Sequence, residues 1–128
     1  MTWAWLLKQT VVALHDESLA EHGGGRGLRD EGLLESALAR PQNLAVYGQP
    51  TLFDLAAAYA FGIVRNHPFV DGNKRTWLIA AYAFLRRNGW RLHAPEIEAV
   101  SVFLKLASGE LAEVELAEWL QKNSSSIK

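Results

Sequence analysis

Cysteine is absent from the 128 residues, which removes disulfides and thiolate metal sites and fits a reducing compartment. Charge of one sign is also missing. Thirteen Lys and Arg face fourteen Asp and Glu for a formal net charge of -1, so no overall field draws the chain onto nucleic acid or an anionic membrane. Long hydrophobic runs are lacking too, because the longest, Leu55 to Val64, is about half of the roughly 20 residues that a membrane span requires. The apolar N-terminus is interrupted by Lys8, Gln9 and His15 and shows no small-residue cleavage site, so a cytoplasmic protein is expected. No internal repeat or long linker is visible. With 49% hydrophobic and 21% charged residues, the composition predicts one globular domain over residues 1–122 and a frayed tail at 123–128.

The periodicity is helical throughout and predicts an all-α bundle of about six helices. Thr2 is placed to cap a first helix carrying Trp3, Leu7, Val11 and Leu14, which ends before Gly23 to Gly25. Asp30 caps a second, with Leu33, Leu34, Ala37 and Leu38 on one face, and Pro41 is expected to end it. Thr51 and Asp54 have capping-box spacing ahead of a stripe through Leu52, Leu55, Ala56, Tyr59, Ala60 and Ile63. The next helix, "TWLIAAYAFLRRNG", is apolar on every side, with arginines in its last turn, and is expected at the buried centre. Ile97, Val100, Leu104 and Ala107 mark a fifth helix, and Val114, Ala117 and Leu120 with Trp119 a sixth. Nothing alternates convincingly with period two, and a short hairpin near "LAVYGQP" is left open.

Between the third and fourth helices stands "HPFVDGNKR", His67 to Arg75, a dense set of polar groups flanked by apolar sequence. Its last residues must form a helix N-terminus, where the first backbone N–H groups lack intrahelical acceptors and carry the positive end of the helix dipole. That is an anion site. Gly72 allows close approach of a ligand to the backbone, and Lys74 and Arg75 add positive charge. A structural sequence would place acids in a first helical turn, so paired cations there imply an anion to receive them. The His67 imidazole suits proton removal from a hydroxyl, because histidine exchanges protons near neutral pH. Asp71 is a hard oxygen ligand suited to magnesium, which commonly holds nucleotide phosphates through one or two carboxylates. Asn73 supplies amide dipoles that orient its neighbours. The set reads as group transfer from a nucleotide to a hydroxyl, a chemistry that depends on positioning and electrostatics.

The nine residues closely resemble the signature of the Fic and Doc family, His-Pro-Phe-x-Asp/Glu-Gly-Asn-x-Arg. The resemblance extends through "LHDESLAEHGGGRGLRDEGLLESALARPQ" and "AAAYAFGIVRNHPF", and is nearest to the short Doc (death on curing) toxins. It implies an all-helical fold with the motif at a helix start. In the adenylylating Fic pattern a glycine follows the asparagine and a second arginine comes three residues after the first; here Lys74 and Leu78 occupy those places. A lysine fills room that a diphosphate would use and offers a competing charge. The Doc-like pattern therefore implies a reversed nucleotide and transfer of the terminal phosphate of ATP to a threonine or serine hydroxyl of a translation factor. The family target is elongation factor Tu, whose modification arrests protein synthesis. Residue by residue, the resemblance implies His67 as general base, Asp71 as magnesium ligand, Gly72, Asn73, Lys74 and Arg75 as phosphate-binding groups, and Phe69 as the anchor of the motif. Adenylylation of a protein hydroxyl is the alternative chemistry, and a non-catalytic phosphate-binding module the alternative class.

Other residues carry less. Arg26 and Arg29, in "HGGGRGLRD", are candidates for contact with target or nucleotide, as is Arg65 beside the motif; His15 and His93 read as structural. The tryptophans read as core or interface anchors. No segment matches the Ser/Thr-x-x-x-Glu-Gly/Asn element by which Fic-type enzymes restrain themselves. Inhibition is therefore expected in trans, from an antitoxin whose C-terminal helix packs in an apolar groove that Trp3 or Trp5 helps to line.

Overall fold

In the computed structural model, which describes residues 2–25 and 27–127, six helices and one two-stranded sheet follow in the order α1 (Lys8–His22), α2 (Glu31–Tyr47), α3 (Leu52–Asn66), α4 (Asn73–Arg87), β1 (Trp90–Leu92), α5 (Glu96–Ser108), α6 (Glu113–Lys122) and β2 (Ser124–Ser126). Two starts follow their sequence signals closely. Asp30 accepts from the Leu33 N–H at 3.0 Å, and Thr51 and Asp54 exchange both bonds of a capping box at 2.8 and 3.1 Å. Burying Leu55, Ala56, Tyr59, Ala60 and Ile63 sets α3 against α2, α4, α5 and α6.

Five expectations are corrected. Thr2 caps nothing, since α1 starts at Lys8. The Ala4 and Leu6 backbones are taken by side chains of other elements: Asn88 bonds both Ala4 N–H and C=O, and Tyr59 Oη accepts from Leu6 N–H at 3.1 Å. Trp5 stacks on Phe84 at 5.9 Å, so Trp3 and Trp5 are partly buried rather than exposed. Pro41 does not end α2. Its missing N–H leaves the Ala37 carbonyl without a helical donor, yet packing carries the helix on to Tyr47, through the stretch where a hairpin was left open. At that level Gly62 of α3 lies so close that an added Cβ would sit 3.1 Å from the Ala37 Cα.

The other two corrections concern the centre and the tail. The central helix is α3, with eleven of its residues buried, whereas α4 buries only Asn73, Thr76, Trp77, Ala80, Ala81, Phe84 and Leu85. The residues at 124–126 do not fray: Ser124 to Ser126 pair antiparallel with Leu92 to Trp90, so the ordered unit does not stop at residue 122. Three serines give no alternation to read, and the pairing is set by a helix end that delivers them beside β1. Among the described residues no helix is long and apolar enough to cross a membrane.

Candidate functional site

The segment between α3 and α4 is fixed at nearly every polar atom. His67 ends α3 in the left-handed region, φ 50° and ψ 56°, and is the one described non-glycine residue with positive φ. Such a conformation costs on the order of 1 to 3 kcal/mol and persists only where the surroundings enforce it. Arg29 does so: its Nε donates to the His67 carbonyl at 2.8 Å and its Nη2 to the Asn66 carbonyl at 2.9 Å. The stretch from Gly27 to Asp30 runs antiparallel to the motif, with Arg29 and Asp30 N–H groups donating to the Pro68 carbonyl and Val70 N–H to the Gly27 carbonyl. Arg29, expected to meet target or nucleotide, thus spends its guanidinium on the motif's backbone. Arg26 lies outside the described residues.

The backbone order leaves the His67 ring exposed, with no described residue bonded to it. Phe69, expected as the anchor of the motif, is 1% exposed. Its backbone is clamped by Asn73, which is buried and both accepts from Phe69 N–H at 3.1 Å and donates to Phe69 C=O at 2.9 Å. The Asn73 side chain therefore holds the loop through both its Oδ1 and its Nδ2, while its main-chain N–H remains at the helix start. Arg75 and Thr76 are the first residues of α4 whose N–H groups find a carbonyl, that of Gly72. The Asn73 and Lys74 N–H groups ahead of them have no intrahelical acceptor and carry the dipole's positive end.

Two cations flank that helix start differently. Lys74 is exposed and has no ion-pair partner among the described residues. Arg75 folds back, its Nε on Ser18 Oγ and its Nη2 on the Gly23 carbonyl, both at 3.2 Å. Gly72 adopts φ 83°, as only glycine does readily. A Cβ there would point not at open space for a ligand but at His15 Nε2, 3.3 Å away, and Leu19 Cδ2, 3.4 Å away, so the glycine serves packing inside the protein.

Asp71 is exposed, and its Oδ1 accepts from Gly72 N–H at 2.7 Å while Oδ2 accepts from Gly25 N–H at 3.3 Å. The bond from Gly72, then that from Gly25, and the nearby Arg75 and Lys74 charges hold this carboxyl below the usual carboxylate range. It is ionised at neutral pH and each oxygen keeps a lone pair for a cation. Among the described residues no three His, Asp or Glu gather to hold a metal by themselves, so an ion at Asp71 would need phosphate oxygens and water to complete its shell, which is the habit of magnesium. On donor chemistry the site fits that ion.

Sequence reasoning missed two supports. The first is His15, fully buried on α1, whose Nε2 lies 2.6 Å from the Asp71 carbonyl and whose ring stacks on Phe69 with centroids 3.8 Å apart. A lone histidine gave no hint beyond its place four residues after Val11 on the buried face. The second is the glycine run: a Cβ on Gly24, at φ 126°, would come within 2.7 Å of Asp71 Oδ2, so "GGG" makes room for the carboxylate. Arg65 is elsewhere, with its guanidinium over the Phe61 ring at 5.6 Å in a cleft of about 640 Å³ shared with Arg40, Asn43 and Tyr47. The larger cleft is thus on the α2–α3 side, whereas Lys74 and Arg75 border one of about 420 Å³ with Trp77, Leu78, Val100 and Phe103. Of these two, the smaller is the one bordered by the first turn of α4, through Lys74 and Arg75.

A helix start with no side-chain cap, an ionised carboxylate and an exposed imidazole thus lie together on one clamped loop. The chain belongs to the Fic/DOC family, whose model matches residues 5–85 and so includes α1 through most of α4. It is similar to "Protein kinase doc" of Escherichia phage P1, 36% identical over 116 residues that make up 89% of this chain and 90% of the relative. It is also similar to "Toxin Doc" of Mycolicibacterium smegmatis, 52% identical over 75 residues, 56% of this chain and 57% of the relative.

Proposed function

We propose that this chain is a Doc-like toxin that transfers the terminal phosphate of ATP to a threonine or serine hydroxyl of a translation protein, elongation factor Tu being the family's target, and so arrests protein synthesis. The observation that carries the reading is the uncapped start of α4, where the Asn73 and Lys74 N–H groups and the free Lys74 ammonium follow two and three residues after an ionised Asp71. His67 takes the proton of the acceptor hydroxyl as its oxygen bonds to the terminal phosphorus, and the bond from that phosphorus to the bridging oxygen breaks to release ADP. The helix start, Lys74 and Arg75 offset the phosphate charge, with Arg75 held in place by Ser18 and Gly23. Asp71 would hold magnesium, which would supply charge neutralisation to the phosphates when bound. A protein acting on translation works in the cytoplasm and needs neither membrane nor direct nucleic-acid contact.

Restraint comes from an antitoxin whose apolar helix lies along the cleft between α4 and α5. Leu78 and Ile79 face it from α4, Val100 and Phe103 from α5, and Val100 and Leu104 are more than half exposed. Trp3 and Trp5 have no part in this groove. The test is the intact mass of elongation factor Tu after incubation with the protein, magnesium and ATP. A phosphoryl increment lost in His67→Ala supports the reading, an adenylyl increment replaces it with Fic-type chemistry, and no increment on any protein of a fresh lysate removes both.

A further inference from the structure

We infer that His15 is a positioning residue for the metal and phosphate groups, acting through the Asp71–Gly72 peptide; the inference rests on the function proposed above. A carbonyl oxygen only accepts, so the 2.6 Å contact with the Asp71 carbonyl requires the proton on His15 Nε2. The other ring nitrogen, Nδ1, is buried without a hydrogen-bond partner, and the nearest carboxylate, Asp16 Oδ1, stands 3.7 Å away. One bond and one ring face therefore account for what His15 does. The face lies nearly parallel to Phe69, at 11°.

That single bond orients the peptide on which the site depends. With its carbonyl held inward by His15, the Asp71–Gly72 peptide presents its N–H to Asp71 Oδ1 at 2.7 Å, which sets the carboxylate's rotamer and lowers its proton affinity. Beyond it the Gly72 carbonyl accepts from Arg75 N–H, Thr76 N–H and Thr76 Oγ1, which starts α4 and leaves the two preceding N–H groups without an intrahelical acceptor. Rotating this one peptide would displace the carboxylate and the helix start together. Partners that orient a metal ligand from behind commonly change metal affinity or activity by about 10- to 100-fold when removed.

The experiment titrates magnesium together with a non-hydrolysable ATP analogue into wild type, His15→Leu, His15→Gln and Asn88→Ala, by calorimetry, at matched folded fraction. His15→Leu keeps an apolar side chain but loses the donor, and its magnesium-dependent affinity falls by about 10- to 100-fold. His15→Gln restores a donor and most of the affinity. Asn88→Ala removes a clamp far from the loop, lowering stability without altering affinity. In the transfer reaction, the KM for magnesium rises in His15→Leu while kcat at saturating metal stays within a few-fold of wild type. Affinity in His15→Leu equal to wild type, or His15→Gln as weak as His15→Leu, overturns the positioning role. Wild type that takes up no magnesium nucleotide overturns the proposed function instead, so the two failures are told apart.

Discussion

Helices α3 and α4 are both 15 residues long, flank the same loop, and use their residues in opposite ways. Eleven of the α3 residues are buried, and its two neighbours in the loop, His67 and Pro68, are carried by its C-terminal end. α4 buries polar Asn73 and Thr76 at its start and leaves Leu78 and Ile79 half-buried and Tyr82 exposed along one flank. One helix is scaffold; the other exchanges burial for an uncapped polar start and an apolar flank. Polar groups that are buried and bonded at both side-chain polar atoms, as in Asn73, fix a unique geometry, and apolar groups left open invite a partner.

That contrast can be broken by substitution. The largest effect is on chemistry at the junction: His67→Ala lowers kcat of transfer by about 10²- to 10⁴-fold with an unchanged unfolding midpoint, read by phosphate incorporation and by denaturant titration. A comparable unfolding shift would mean that the ring is structural. Next comes the scaffold helix, where Leu55→Ala costs about 2 to 5 kcal/mol in unfolding free energy, because the side chain is wholly buried. Gly62→Ala costs about 1 to 3 kcal/mol, since its methyl would meet the Ala37 backbone at 3.1 to 3.2 Å. On the flank of α4, Leu78→Gln changes stability by about 0.5 kcal/mol or less. It nevertheless weakens the antitoxin complex measurably in a pull-down or calorimetric titration.

A pH dependence sharpens the comparison at the loop itself. The Asp71 carboxyl is depressed in the folded chain, so its contribution to stability is present above the ordinary carboxylate range and is lost as pH falls through the folded value. Asp71→Asn removes that component, and the difference between variant and wild type in an acid unfolding series should shrink below pH about 4. A difference that is constant down to strong acid would show that the carboxylate's two backbone bonds carry no charge-dependent energy.

How much of this was legible in the sequence follows from which groups announce themselves. The six helices and the motif at the start of α4 were legible because capping boxes and i, i+4 stripes are local signals. Pro41 misled because its local rule is overridden by the packing of α2 on α3 at Gly62, and Thr2 misled because Tyr59 and Asn88 capture the nearby backbone from far along the chain. The exchange of rank between α3 and α4 was hidden because hydrophobicity counts apolar residues without saying which face meets a neighbour. At the site, the residue types of the motif were legible but their tasks were not. Asn73 and Gly72 turn inward, Arg29 and His15 hold backbone carbonyls from 38 and 56 residues away, and no spacing rule spans such distances.

The central claim is that a nucleotide's phosphates rest on the start of α4, and backbone amide NMR of the wild-type chain titrated with magnesium and a non-hydrolysable ATP analogue tests it most directly. The account predicts the largest amide shifts at Asn73 and Lys74, with Gly72 and Gly25 following as Asp71 takes up the ion. Shifts confined to Arg40, Asn43 and Arg65, in the larger cleft between α2 and α3, with Asn73 and Lys74 unmoved at saturation, would contradict it.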